Sequence, residues 1–173
     1  MKKKIKIFTD GACSGNPGTG GYAVVVCKED KCEKLFGYEI ATTNNRMELR
    51  AAIEALKHIA LVLSKEEMRE FDIISDSAYV VNAVEKNWLL AWKFNNWKTS
   101  KGSEVKNKDL WEEFVYTYEL TKSCGCNVNF VKVKGHAGNS YNELADKIAK
   151  EQAQEATEVL RKIRSKELSN EFC

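Results

Sequence analysis

Four acids carry the first chemical signal in this chain: Asp10, Glu48, Asp76 and Asp146. Three of them have an ordinary explanation when read alone. Asp10-Gly11 is a turn signal, Asp76 precedes a serine able to cap a helix, and Asp146 edges an arc made by Ala145, Ala149 and Ala153. Glu48 is harder to place. At about 100° per residue, Leu49, Ile53, Leu56, Ala60 and Leu63 share one face, and Arg46, Arg50, Glu54, Lys57 and His58 occupy the opposite arc. Glu48 lies outside that arc, at roughly 260° from Leu49, between Ala51 and Ala55 on one side and Ala52 and Ile59 on the other. A carboxylate so placed is at least half covered and needs a partner.

One partner is local: with Asn45 as N-cap, Glu48 three residues later completes a capping box. The other is a cation shared with distant acids. Four carboxylates in one cleft repel one another and take up protons unless a cation joins them, and oxygen-only ligation favours Mg²⁺ or Mn²⁺. Two such ions about 4 Å apart activate a water and stabilise the leaving oxygen of an in-line phosphoryl displacement. Spacing along the chain is compatible with both readings.

The elements that must position these acids can be read from periodicity. "KIKIFTD" alternates Ile5 and Ile7 against Lys6, Phe8 and Asp10, as a strand does. "GACSGNPGTGG" is expected as a loop, and "YAVVVC" and "KLFGYEIA" as two strands joined by a tight turn at Glu29 and Asp30. A helix follows from "TTNNRMEL". "FDIISD" reads as a short buried strand ending at Asp76, with Ser77 capping the helix "AYVVNAVE". Asn107 to Lys122 reads as a helix and "NVNFVKVK" as a last strand; Ser140 with Glu143 then opens the helix "YNELADKIAKEQAQ". The expected order is β-β-β-α-β-α-α-β-α, which puts Asp10 and Asp76 at strand ends, where sites of α/β sheets gather.

Composition narrows the class. The chain has 173 residues, 43% hydrophobic and 30% charged, which suits one globular domain with a real core. No apolar run approaches the roughly 18 residues of a membrane span, so a cytoplasmic protein without a membrane partner is expected. A net charge of +2 means that any affinity for nucleic acid must come from local clustering. Cys13, Cys27, Cys32, Cys124, Cys126 and Cys173 are dispersed and lack the spacing of a usual zinc site, so reduced thiols are expected.

The blocks "FTDGACSGNPGTGGYA", "TTNNRMEL", "SDSAYV", "WKTSKG" with "VKNKDLW", and "KGHAGNSYNELAD" together resemble type 1 ribonuclease H, which cuts the RNA strand of RNA–DNA hybrids. The likeness runs from about residue 4 to 153 in the family's order. It implies an α/β, ribonuclease H-like fold: a five-stranded mixed sheet flanked by helices, with a basic helical handle at about 87–111. The catalytic domain would span residues 1–154, and a charged helical extension or tail residues 155–173. The resemblance makes Asp10, Glu48, Asp76 and Asp146 the metal-binding catalytic acids, with Mg²⁺ as cofactor, Mn²⁺ as substitute and two ions during catalysis. His136 would assist proton transfer or product release, a role that suits an imidazole. The partner implied is an RNA–DNA hybrid, and a monomer is expected.

Recognition of a hybrid requires reading 2′-hydroxyls on one strand and holding phosphates and sugars of the other. By the resemblance, Gly11, Cys13, Asn16, Asn44 and Ala78 line the RNA side, Thr43 and Arg46 form a pocket for a DNA phosphate, and Asn142 is a further contact. Trp88, Trp92, Trp97 and Trp111 are interleaved with Lys86, Lys93, Lys98, Lys101, Lys106 and Lys108, a basic aromatic pattern suited to a nucleic-acid groove. Trp88, Trp92, Lys93 and Lys98 are its candidate contacts, Trp88 and Trp92 sharing one face at i and i+4. The handle has no arginine, and Ala78 stands where several bacterial relatives carry glutamine. Two rivals remain at this stage: a non-catalytic hybrid-binding module, and a nuclease of the same superfamily acting on DNA.

Overall fold

In the computed structural model the described residues are 4–28, 31–65, 69–135, 138 and 140–171, with side chains as far as 167. The alternation that begins at Ile5 does build a strand, but the strand does not end at Asp10. Strand β1 (Ile5–Gly15) pairs antiparallel with β2 (Gly18–Lys28) out to Gly15 opposite Gly18, turning at Asn16-Pro17. The glycine-rich segment expected as a loop is therefore the far half of a hairpin. Its glycines are there for close approach: a Cβ on Gly21 would lie 2.4 Å from the carbonyl oxygen of Ala149.

β3 (Lys31–Thr42) pairs antiparallel with β2 and forms one edge of the sheet. β4 (Glu70–Ser75) lies parallel to β1 on its other side, and β5 (Asn127–Lys132) parallel to β4 closes the order β3-β2-β1-β4-β5. The five-stranded mixed sheet follows the expected pattern. Because β1 and β4 are parallel neighbours with Phe8 opposite Ile74, the residues two further on, Asp10 and Asp76, arrive at the same end of the sheet.

Helix α1 (Asn44–Leu61) covers one face of the sheet. Its N-cap is Thr43, not Asn45: the Thr43 hydroxyl accepts from the Arg46 amide at 3.4 Å. That leaves Glu48 beyond the position a capping box uses. His58, expected on the charged arc, is buried, and its Nε2 lies 3.1 Å from Glu33 Oε2, because the edge strand reaches over that flank of the helix. α2 (Ala78–Glu85) is capped by Ser77 as expected.

Three helices, not two, separate β4 from β5. The additional one, α3 (Trp88–Phe94), starts after Asn87 in the left-handed region (φ 55°), and the chain then reverses at Asn96 and Trp97, both at positive φ. Its seven residues bury none of their side chains completely, which is why periodicity did not separate it from the rest of the handle. α4 (Lys108–Ser123) follows and packs on α1. Trp111 of α4 is fully buried, edge-on to Trp92 of α3 and to Phe114, with its indole N–H donating to Tyr79 of α2 at 2.8 Å. Burying a large side chain of this kind stabilises by roughly 1.5–3 kcal/mol, so Trp111 anchors the handle.

α5 (Ser140–Glu171) crosses the opposite face, where Ala145, Ile148 and Ala149 meet Phe8, Ala23, Val25 and Ile74. Its packing continues past residue 154. Ala156 is fully buried, and the Thr157 hydroxyl is 2.6 Å from that of Thr19. The composition change near residue 155 is thus not a packing boundary; the fully exposed turns begin at Arg161.

Candidate active site

Asp10 is buried on β1, and the Gly11 amide donates to its Oδ1 at 2.8 Å. Glu48 reaches it because α1 starts almost in contact with the strand. A Cβ on Gly11 would lie 2.3 Å from the Glu48 nitrogen and 2.5 Å from the Met47 carbonyl carbon. The small residue that admits the approach therefore sits on the strand, while Ala51, Ala52 and Ala55 of the helix are all buried behind it. Asp76 follows β4, with Gly135 so close that a Cβ there would meet its Oδ2 at 2.5 Å. The result is a cluster: Asp10, Glu48 and Asp76 each offer a carboxylate oxygen, all within 4.8 Å of one another.

Three carboxylates at this spacing perturb one another. Burial, followed by the charges of Asp76 and Asp146, pushes the Asp10 carboxyl up to about 7. Burial and then the charges of Asp10 and Asp76 hold Glu48 well above the usual carboxylate range, against a hydrogen bond from Asn44. Among the described residues nothing hydrogen-bonds to Glu48 Oε2, although that atom is buried. An orphaned carboxylate oxygen facing two other acids is a donor set for a hard divalent cation, and all ligands here are oxygens. The residues fit such an ion.

Asp146, on α5, stands apart from the three. Its carboxylate is held by Lys150 at 2.7 Å, one helical turn on, and it acts on Asp10 and Glu48 as a neighbouring charge. Lys150 in turn lowers the Asp10 pKa, a counter-charge that the sequence reading missed. Its signal was available as the i, i+4 spacing from Asp146. His136 lies outside the described residues.

The recognition candidates divide into two groups. Gly11 and Cys13 on β1, Asn16 in the hairpin turn, and Thr43 and Asn44 at the start of α1 come together, with the Asn44 amide donating to Asn16 Oδ1 at 3.2 Å and the Cys13 thiol to the Thr42 carbonyl at 3.6 Å. Ala78 is exposed in the first turn of α2, and Asn142 is buried in the first turn of α5. Arg46 is engaged within the protein, its guanidinium forming two parallel bonds to Asp109 at 2.9 and 2.7 Å. Asp109 was not among the expected site residues.

On the handle, Trp88 is exposed and stacks beneath Lys86 at 5.6 Å. Trp92, expected to share that exposure, is partly covered because its ring leans against Trp111. Trp88, Trp92, Asn95, Lys98 and Ser100 nevertheless line one open depression. Lys93 points elsewhere, to Glu119 at 2.9 Å.

Comparison with known proteins agrees with this arrangement. The family model for RNase H matches residues 2–154. The ribonuclease H of Chlorobium luteolum is 48% identical over 154 residues, covering 89% of this chain and 98% of its own. That of Acetivibrio thermocellus is 47% identical, covering 85% and 92%. Among solved structures, LC9-RNase H1, described as a type 1 RNase H with the type 2 active-site motif, superposes with a TM-score of 0.73 at 30% identity, over 90% of this chain and 74% of that one. LC11-RNase H1, solved in complex with an RNA/DNA hybrid, gives 0.66 at 26% identity, over 89% and 99%. With the acid cluster just past the parallel ladder of β1 and β4 and the family model spanning the sheet and its helices, the chain belongs to the RNase H family.

Proposed function

We propose that this ribonuclease H is an endonuclease that hydrolyses the RNA strand of RNA–DNA hybrids, leaving 5′-phosphate and 3′-hydroxyl ends. The observation that carries the reading is the triad Asp10, Glu48 and Asp76, with oxygens within 4.8 Å and one of them orphaned. The hybrid bound by LC11-RNase H1 supports the substrate.

Asp10, Glu48 and Asp76 would hold divalent cations, Mg²⁺ or Mn²⁺, with Asp146 as the fourth acid. Two bound ions would supply positive charge to activate a water and to stabilise the leaving oxygen. The protein's own contribution is to hold the carboxylates in register. Gly11 brings Glu48 onto β1, the parallel pairing brings Asp76 beside Asp10, and Lys150 orients Asp146. His136 is assigned the handling of the leaving-group proton or product release, as its place in the family pattern implies.

The RNA strand would lie along Gly11, Cys13, Asn16, Asn44 and Ala78, with Asn142 as a further contact. A DNA phosphate would be held by Thr43 and Arg46, the guanidinium exchanging Asp109 for the phosphate. Trp88, Trp92 and Lys98 would grip the DNA strand through the handle, with Lys93 joining them by exchanging Glu119 for a phosphate. Among the described residues no helix is long and apolar enough to cross a membrane. We infer a cytoplasmic, monomeric enzyme.

The test is cleavage of end-labelled RNA–DNA, RNA–RNA and DNA–DNA duplexes with Mg²⁺ or Mn²⁺. Cutting confined to the RNA of the hybrid is expected, and Asp10→Asn should abolish it while hybrid binding survives. Cleavage of DNA duplexes, or full activity in the variant, would overturn the proposal.

A further inference from the structure

Cys27 and Cys32 face each other across the β2–β3 pair, one residue from the end of its ladder at Lys28 and Lys31. Their Sγ atoms are 2.9 Å apart, roughly 1 Å more than the about 2.05 Å of a disulfide bond. Directly opposed residues of an antiparallel pair have Cα atoms about 4.5–5.5 Å apart, inside the range of about 4.4–6.8 Å that disulfides span. Both side chains leave the sheet on the same face, so closing the bond needs little more than rotation about the side-chain bonds. The other described cysteines are engaged differently: Cys13 with the Thr42 carbonyl, Cys124 with the Ala60 carbonyl, and Cys126 in the core.

We propose that Cys27 and Cys32 are a reversible dithiol–disulfide pair, oxidised by a low-molecular-weight disulfide to form a staple across the β2–β3 hairpin. Cys32 is the exposed partner and attacks first. Its thiolate forms a mixed disulfide with one half of the oxidant, and the other half leaves as a thiolate that takes a proton from water. Cys27 then loses its proton to solvent and attacks Sγ of Cys32, expelling the second small thiolate. Two protein thiols and one small disulfide become one protein disulfide and two small thiols. Burial pushes the Cys27 thiol up to about 12, which disfavours it as the first attacker. In the second step its target sulfur is already adjacent. Lys6 stands opposite Cys27 on β1, so the row across the sheet runs Lys6, Cys27, Cys32. The pair lies four residues back along β1 from Asp10, roughly 13 Å at strand spacing, and so is separate from the carboxylate cluster.

The full chain is incubated with oxidised glutathione, remaining thiols are alkylated, and the products are mapped by proteolysis and mass spectrometry. The expected result is a Cys27–Cys32 link with loss of two hydrogens. Cys124 and Cys126 should be alkylated as before, and dithiothreitol should reverse the link. Cys27→Ser should keep glutathione on Cys32, because the second attack is missing. A lasting glutathione adduct on Cys32 in the parent chain, a link to any other cysteine, or full alkylation of both residues would overturn the proposal.

Discussion

Neutralising Asp10 should stabilise the folded protein at neutral pH in the absence of divalent cations. The Asp10 carboxyl is moved from an ordinary 3.8 to about 7, first by burial and then by the charges of Asp76 and Asp146. A raised pKa means that between about pH 4 and pH 7 the folded chain binds more protons at this site than the unfolded chain does. The site's contribution is therefore fully present below pH 4 and is lost as the pH rises through 7. At about 1.36 kcal/mol per tenfold change in proton affinity, the rise from 3.8 to about 7 amounts to at most about 4 kcal/mol. Asp10→Asn keeps the shape and an oxygen for the Gly11 amide, and removes the charge. Its advantage over the parent should grow from near zero at pH 4 to between about 1 and 4 kcal/mol at pH 8, or up to roughly 8–16 °C in Tm for a chain of this size. The assay is thermal unfolding in EDTA at intervals from pH 4 to 8, repeated with Mg²⁺. The ion should raise the parent's Tm more than the variant's. A variant no more stable than the parent at pH 8, or a difference that does not change with pH, would refute the electrostatic reading of the triad.

Three further outcomes follow from the same geometry. Gly11→Ala puts a Cβ 2.3 Å from the Glu48 nitrogen, so strand and helix must part by about 1 Å to regain ordinary contact; hybrid cleavage should fall about 100-fold and stability by about 1–3 kcal/mol, read by cleavage rate and denaturant unfolding. Glu48→Gln should abolish cleavage with an unchanged circular dichroism spectrum, whereas near-parental activity would return Glu48 to a structural role. Removing residues 155–173 strips away buried Ala156 and the Thr157 contact to Thr19, and should cost about 1–3 kcal/mol in unfolding while the folded fraction still cleaves hybrid.

Much of the sheet was legible because its strands obey a period of two and its helices a period of 3.6. Ile5 and Ile7 announce β1, and "FDIISD" announces β4 with its acid just past the end. Asp10, Glu48 and Asp76, the three acids that the structure brings together, were legible by type and position. The hairpin through "GACSGNPGTGG" was not, because local propensity sends glycines to loops, while these allow Glu48 and Ala149 to come closer than any side chain would permit. The N-cap slipped from Asn45 to Thr43 because several adjacent residues are competent caps and only backbone geometry chooses among them.

What the sequence by itself determined is the inventory: most of the elements, the carboxylates they carry, and where tryptophans and lysines gather. Only the tertiary structure decided who meets whom. Asp10, Glu48 and Asp76 converge because a parallel pairing and one glycine bring two strands and a helix start together, whereas Arg46 is taken up by Asp109. Such meetings depend on packing between residues tens of positions apart, and no local pattern records which of several chemically equivalent partners lies within reach.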